Sequence, residues 1–196
     1  MVRSAELTDY DSIVQIREDL AVDISSLGES EYRVQIQQNG FLLPLGLSIE
    51  EFEQDLSQYI VSALDGEVVG YLRLDLDEER EIEPEETVSW FNNNLKDLYF
   101  STPHANIGGV GVQMGTKRTG LGTALLQDAE QQAYAMRIPY LFSSVVSSPI
   151  TNFASILFHE KNGFERVAIY STQVKYLGMA YFQSILYAKR LFRSLS

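Results

Sequence analysis

The amino-acid sequence predicts a mixed α/β fold, a central sheet with helices packed on it. Three patterns carry this prediction. Two runs of alternating β-branched residues surround an Asp-Gly pair, which indicates a β-hairpin. A strand, a helix, a second strand and a second helix follow one another across residues 110–164. Two β-rich runs then close the chain. The hairpin is predicted at residues 59–64 and 67–76, and the closing strands at residues 166–171 and 184–189.

Capping residues and chain breakers predict the other elements. A short strand at residues 2–5 precedes a helix that ends near Val22. Residues 25–47 are expected to be irregular, because glycine and proline punctuate them. Ser48 and Glu51 have the spacing of a capping box, which predicts a helix that ends near Ser57. The remaining predictions are a strand at 104–113, a helix at 120–136, a strand at 140–146 and a helix at 151–161.

The whole chain, residues 1–196, is expected to form a single domain with a long insertion at about residues 77–103. Connections of this length inside a domain usually serve a function or are partly disordered. Trp90 and Tyr99 lie in aromatic runs that should bury apolar surface. We therefore expect a short helix at residues 86–98 over the substrate side of the sheet. It either covers a pocket as a lid or packs as part of the core.

Composition narrows the class of protein. An apolar fraction of 45% indicates a folded globular chain, and the lack of cysteine excludes disulfides, thiol catalysis and thiolate metal sites. The net charge of −12 argues against a nucleic-acid-binding surface. The N-terminus lacks an apolar signal core, and the uncharged stretch 138–158 contains five serines, too polar to span a bilayer. A cytoplasmic protein without a membrane partner is expected.

Residues 115–123 predict a binding site for an anion. Gly120 and Gly122 permit close approach of the backbone, and the following helix directs its free N–H groups and the positive end of its dipole at this turn. Lys117 and Arg118 add positive charge. The turn lacks the Lys-Ser/Thr of a Walker loop and the third glycine of a dinucleotide fingerprint. By itself, a glycine turn of this kind is as typical of a purely structural turn as of a binding site.

Residues 152–164, which read Asn-Phe-Ala-Ser-Ile-Leu-Phe-His-Glu-Lys-Asn-Gly-Phe, make the stronger motif. They resemble the Asn-helix-Tyr-Glu-Lys-x-Gly-Phe signature of the GNAT acetyltransferase superfamily. The turn resembles that family's Arg/Gln-x-x-Gly-x-Gly/Ala loop for the pyrophosphate of acetyl-CoA, with Lys117 in the first place. The resemblance implies a mixed, mostly antiparallel central sheet flanked by helices. It also implies an N-acetyltransferase that uses acetyl-CoA as co-substrate. No metal is expected, because no His-rich or carboxylate-His spacing suggests one.

By the resemblance, the amine of a small molecule or peptide attacks acetyl-CoA directly in a ternary complex, and a homodimer is compatible with the family. A backbone N–H on the fourth predicted strand would polarise the acetyl carbonyl, as an oxyanion hole does. The residues predicted to bind the cofactor are Val110, Gly111, Val112, Lys117, Arg118, Thr119, Gly120, Leu121, Gly122, Thr123, Asn152 and Ser155.

Two histidines are the candidate catalytic residues. His159 stands where the resemblance places a tyrosine that protonates the leaving thiolate. It either donates this proton or is a structural helix residue. The carboxylate that the resemblance expects as a base is missing, since Asn106 and Gly108 occupy those positions. His104 lies on the same face of the strand as Asn106, so it either serves as the base or is a surface histidine.

Two further features stay open at this point. Tyr71, Arg73 and Asp75 alternate on one face of a predicted strand, where they line an acceptor pocket or form a wetted outer face. Residues 75–86 contain eight acidic residues and one arginine, which is typical of a solvated loop or of a field that attracts cationic amines. Two alternatives to an acetyltransferase stay open. One is a CoA-binding regulatory module without transfer activity, and the other is an interaction protein with a merely structural glycine turn.

Overall fold

In the computed structural model, the described residues are 1–23, 31–77, 86–91, 93–101, 103–172 and 182–192. The strands of these residues are β1 (Val2–Ser4), β2 (Tyr59–Leu64), β3 (Glu67–Asp77), β4 (Glu86–Trp90), β5 (His104–Val112), β6 (Tyr140–Ser148), β7 (Glu165–Thr172) and β8 (Phe182–Arg190). The α-helices are α1 (Tyr10–Leu20), α2 (Glu31–Asn39), α3 (Ile49–Gln54), α4 (Asn93–Ser101), α5 (Leu121–Ala135) and α6 (Phe153–Lys161).

The strands form a single sheet in the order β1-β2-β3-β5-β6-β8-β7-β4. Only β5 and β6 are parallel among the described pairs, and every other neighbouring pair is antiparallel. The predicted mixed, mostly antiparallel sheet flanked by helices is therefore confirmed. The Asp65-Gly66 hairpin is also confirmed, and both residues have the positive φ values that such a two-residue turn requires.

Helices cover both faces of the sheet. On the face that we call the α5 face, Leu125 and Ala129 of α5 pack against Leu72 and Ile107 in the main apolar core. On the opposite α1 face, Ile16 of α1 packs with buried aromatic residues of β2 and β3. Burial on both faces explains why the inner strands read as nearly continuous apolar runs.

Two expectations about local structure were wrong. Residues 31–39, expected to be irregular, form α2. This helix is mostly polar and shows little periodicity, but its Ile36 is buried in a cluster with Phe41, Ile150 and Phe182. Tertiary packing therefore stabilises a helix that the local pattern does not indicate.

The predicted helix at residues 86–98 is instead β4 followed by α4. The segment Thr87 to Trp90 pairs antiparallel with β7 at the edge of the sheet. In α4, Tyr99 is fully buried against His104 and Phe142 on the α1 face, so this part of the insertion packs as core. Residues 78–85, the centre of the acidic stretch, lie outside the described residues.

Candidate functional site

A wedge opens between the two parallel strands. Pairing of β5 with β6 covers only residues 105–107 and 141–143, although both strands lie wholly among the described residues. Beyond these pairs, β5 continues beside β3, and β6 continues beside β8. We define the wedge by residues 108–112 of β5 and 144–148 of β6. Because alternate N–H groups of β5 point away from β3, some of them point into the wedge.

The helix α5 begins just beyond the open end of the wedge. Gly120 is its N-cap, has a φ of 90° and provides no side-chain cap. The first intrahelical bond of α5 runs from Ala124 N–H to Gly120 O, at 2.9 Å. The N–H groups of Leu121, Gly122 and Thr123 therefore precede this bond and point out of the helix end. In a helix of 15 residues, these donors and the dipole together favour an anion.

The turn that leads into α5 is fixed by its own hydrogen bonds. Thr116 Oγ1 donates to Gln113 O at 3.0 Å, and Thr119 Oγ1 donates to Thr116 O at 2.6 Å. Arg118 has a φ of 66° and an exposed side chain. The predicted positive charge of Arg118 is thus held on a rigid turn at the helix N-terminus, with its side chain in solvent.

Lys117 joins the turn to another element. Its Nζ donates to the carbonyl of Asn39, the last residue of α2, at 2.7 Å. Partial burial lowers the pKa of the Lys117 ammonium. The lysine therefore both contributes charge beside the α5 N-terminus and binds a carbonyl at the C-terminal end of α2.

Gly122 has a structural reason to be glycine that the sequence did not indicate. A Cβ on Gly122 would lie 3.3 Å from Cε2 of Phe158, closer than ordinary carbon contacts. The residue therefore lets α5 approach α6. Gly120, by contrast, has nothing within 4 Å of its Cβ position, so only its φ favours glycine.

The predicted cofactor residues on α6 are engaged within the fold. Asn152 caps the helix, since its Oδ1 accepts from Ser155 N–H at 3.2 Å. The same amide donates from Nδ2 to Phe41 O at 2.9 Å, and the side chain is buried. Asn152 therefore fixes α6 to the chain just after α2. Ser155 supplies the carbonyl that holds the His159 ring.

His159 lies on the α5 face, near the closed end of the wedge. Its Nε2 is 2.8 Å from Oγ of Ser143, a residue paired with Ile107 at the last parallel step. Its Nδ1 is 2.7 Å from Ser155 O. A carbonyl only accepts, so Nδ1 carries the proton and Nε2 accepts from the Ser143 hydroxyl. Burial lowers the pKa of His159, which keeps the ring neutral. These contacts favour a structural role.

His104 is not brought to the wedge. It is the first residue of β5, four positions before Gly108, which is roughly 13 Å along a strand. Its ring stacks on Tyr99 at 4.7 Å and meets Phe142 edge-on at 5.2 Å, with 1% of the residue exposed. The structure thus separates His104 from residues 110–112, the predicted acyl-binding segment.

The polar residues of β3 do not form the solvated outer face that was one of the two expectations. Tyr71 is fully buried, and its hydroxyl lies 3.5 Å from the Cβ position of Gly109 on β5. Arg73 forms ion pairs with Asp75 and with Asp55, which precedes β2. This group lies on the α1 face beside the start of the wedge. The sequence indicated the shared strand face, but the contact between β3 and the glycines of β5 depends on the register of the sheet.

The family model described as Acetyltransferase (GNAT) family matches residues 20–164, most of the chain and the whole wedge with its α5 turn. The chain belongs to the GNAT acetyltransferase family. The predicted family is therefore confirmed. The prediction that the protein is an acetyl-CoA-dependent acyltransferase is confirmed with it.

Similar proteins agree with this family. The chain is 27% identical over 171 residues to an N-alpha-acetyltransferase of Sulfurisphaera tokodaii, covering 86% of this chain and 81% of the relative. It is 25% identical to an N-alpha-acetyltransferase of Sulfolobus acidocaldarius, with the same coverage. A crystal structure of ribosomal-protein-alanine N-acetyltransferase from Brucella melitensis shares the fold. Its TM-score is 0.60 at 20% identity, over 97% of this chain and 99% of that one.

The residues that the structure describes have two further properties. They contain no group of three or more histidine, aspartate or glutamate side chains placed to hold a metal ion. No helix among them is long and apolar enough to cross a membrane.

Lys117→Ala is expected to weaken acetyl-CoA binding by about 1–2 kcal/mol, the contribution of one charge-assisted contact. This corresponds to roughly a 5- to 30-fold rise in Kd. Isothermal titration calorimetry measures this change, and the control is Lys161→Ala, at the C-terminal end of α6. Equal affinities of the two variants would remove Lys117 from the cofactor site.

Proposed function

We propose that this GNAT protein transfers the acetyl group of acetyl-CoA to the primary α-amine at the N-terminus of a polypeptide. One observation carries the cofactor half of this proposal, namely the wedge that opens directly before the uncapped N-terminus of α5. The relatives named N-alpha-acetyltransferase support the acceptor half. Within the broader class of primary amines, they favour the α-amine of a peptide over a small molecule.

In this proposal, the pyrophosphate of acetyl-CoA binds the N–H groups at Leu121, Gly122 and Thr123, with Arg118 and Lys117 nearby. The pantetheine arm then extends along the wedge toward its closed end. A free N–H within residues 110–112 of β5 polarises the thioester carbonyl. At Gly111, the side chains of Tyr71, Leu20 and Ile16 fill the α1 face of β5. At Gly109, only Tyr71 lies within 4 Å of the Cβ position, so the amine approaches β5 there.

Direct attack in a ternary complex requires the two substrates to be held together. Such positioning supplies much of the rate enhancement, since effective molarities reach ~10⁵ M or more. The amine nitrogen attacks the thioester carbon, the C–S bond breaks, and one nitrogen proton ends on the CoA sulfur. Proton delivery from His159 stays a prediction, which the His159 variants described in the Discussion test.

The experiment is an acceptor panel that separates the amine classes. One peptide has a free N-terminus and no lysine, a second has an acetylated N-terminus and one lysine, and a third sample is a polyamine. Thiol release measures turnover, and mass spectrometry locates the acetyl group. We expect acetylation of the free N-terminus. Transfer only to the lysine or the polyamine would contradict the α-amine acceptor.

The alternative is a catalytically weak or inactive acyl-CoA-binding module. The hydrogen-bonded state of His159 and the lack of a carboxylate at Asn106 and Gly108 favour it. Acetyl-CoA binding by calorimetry without thiol release from any acceptor would establish this alternative. The cytoplasmic location, the homodimer and the absence of a nucleic-acid partner stay predictions, and light scattering after size-exclusion chromatography tests the dimer.

A further inference from the structure

Gly108 marks the start of the wedge and lies at an irregularity of the sheet. Arg73 pairs with Gly109 and Leu74 pairs with Ile107, so Gly108 is an extra residue of β5 that has no paired residue on β3. This β-bulge re-aims the backbone at the point where β5 leaves β6. A side chain at position 108 would therefore project from β5 just where the wedge begins.

The carboxylate of Asp75 occupies the space of that missing side chain. A Cβ built on Gly108 would lie 2.2 Å from Asp75 Oδ2 and 2.9 Å from Asp75 Cγ. The three heavy atoms nearest to this Cβ position all belong to Asp75. Gly108 has no positive φ, so its backbone could accept another residue. Glycine at 108 is thus explained by the neighbouring carboxylate.

The Asp75 carboxylate is held in place by a second charge. Its Oδ1 lies 2.5 Å from Arg73 Nε, and Arg73 Nη2 donates to Asp55 Oδ2 at 3.1 Å. The Arg73 guanidinium also lies over the Tyr59 ring, 5.8 Å from its centroid. The Asp75 side chain keeps 25% of its surface exposed. It is therefore a positioned carboxylate that an incoming group can reach.

Asp75 places a carboxylate beside the positions of β5 where the expected acid is missing. The family resemblance expects an acid on β5, where this chain has Asn106 and Gly108. In the sheet, Asn106 is paired with Asp75, one strand away. The carboxylate thus reaches the α1 face of β5 from β3 instead of from β5 itself. Tyr71, two residues before Arg73, lies on the same face beside Gly109.

We propose that Asp75 binds the ammonium group of the acceptor and carries its proton away, with Arg73 as a positioning residue. This assignment rests on the proposed N-acetyltransferase function and concerns the same site. One proton passes from R–NH₃⁺ to the Asp75 carboxylate and then to water. The neutral nitrogen attacks the thioester carbon, the C–S bond breaks, and the second nitrogen proton ends on the sulfur. The products are the amide and CoA-SH.

Asp75→Asn tests the assignment, because it keeps the shape of the side chain and removes its charge. We expect kcat/KM for the free-N-terminus peptide to fall by about 10²-fold or more, with the Kd of acetyl-CoA unchanged. The matched control is Glu130→Gln, a carboxylate of similar exposure that pairs with Lys189 away from the wedge. It should keep the wild-type rate. Wild-type kcat/KM in Asp75→Asn would overturn the proposal.

A binding measurement separates this proposal from the proposed function. With the protein saturated by CoA, which cannot transfer, calorimetry compares one peptide with a free N-terminus and the same peptide acetylated. We expect wild type to prefer the charged peptide and Asp75→Asn to lose that preference. Equal preference in both proteins would overturn the role of Asp75, whatever the transfer assay shows. Failure of wild type to transfer would contradict only the proposed function.

A carboxylate swap provides a gain-of-function test. Gly108→Asp alone should lower kcat/KM, because its Cβ would lie 2.2 Å from Asp75 Oδ2 and displace that carboxylate. The double variant Asp75→Gly, Gly108→Asp removes that overlap and returns a carboxylate to the same space from β5. Recovery of kcat/KM in the double variant, relative to Asp75→Gly, would support a requirement for the carboxylate at this point.

Discussion

Gly120→Asp is expected to abolish measurable acetyl-CoA binding, with Kd rising at least 100-fold, about 3 kcal/mol. A carboxylate at the N-cap accepts hydrogen bonds from the helix N–H groups, which then no longer serve the pyrophosphate. Its negative charge also repels the phosphate groups. Nothing lies within 4 Å of the Cβ position, so the substitution does not disturb packing. Isothermal titration calorimetry with acetyl-CoA measures the loss.

The matched control is Gly66→Asp in the β2–β3 turn. Gly66 has a φ of 88° against 90° for Gly120, and both have open space at the Cβ position. The two variants therefore carry the same backbone strain of about 1–2 kcal/mol and the same added charge. Gly66→Asp should bind acetyl-CoA as wild type does. Normal affinity in the Gly120 variant would show that the α5 N-terminus is not the cofactor site.

His159→Phe is expected to lower the free energy of unfolding by roughly 2–4 kcal/mol, since it leaves the partners of both ring nitrogens unsatisfied. These partners are the Ser143 hydroxyl and the Ser155 carbonyl. Urea unfolding measures the loss. Leu157→Phe, on an exposed position of the same helix, is the control and should change stability by about 0.5 kcal/mol or less. Unchanged stability with a 100-fold lower kcat would instead identify His159 as the proton donor.

The same histidine predicts a pH dependence. Burial lowers its pKa in the folded protein, whereas the unfolded chain takes up a proton near pH 6.5. The unfolded state then binds more protons, so stability falls as pH decreases below about 6.5. The stability difference between wild type and His159→Phe should shrink by up to about 1 kcal/mol between pH 7 and pH 5.5. A constant difference would place the ring in a more solvated setting.

The sequence predicted those elements whose geometry is specified by a few neighbouring residues. The Asp65-Gly66 turn and the Ser48–Glu51 capping box specify their own geometry, and both are present in the structure. The glycine turn before α5 was likewise recognisable, because its chemistry lies within a few consecutive residues. By contrast, α2 depends on burial of Ile36 against Ile150 and Phe182, distant in the sequence. No window around residue 36 contains that information.

The same limit applies to the site. The motif predicted His159 at the edge of the active site, but its hydrogen bonds to Ser143 and Ser155 follow from how α6 packs on β6. Asp75 and Gly108 are 33 positions apart (108 − 75), and a shift of register by one residue would point the carboxylate to the other face. Residue spacing indicated that Asp75 and Arg73 share one face of the strand. Only the strand pairing showed that the Asp75 carboxylate lies beside Gly108.

The placement of β4 limits how copies of this chain can associate. Without it, the eight-residue strand β7 would present an open row of N–H and C=O groups, a template on which another chain could extend the sheet. With it, the outermost strands of the described sheet are β1, of three residues, and β4, of five. Strands this short offer few backbone hydrogen bonds to the edge strand of another chain. Because β4 covers β7, two copies of this protein cannot join their sheets along β7.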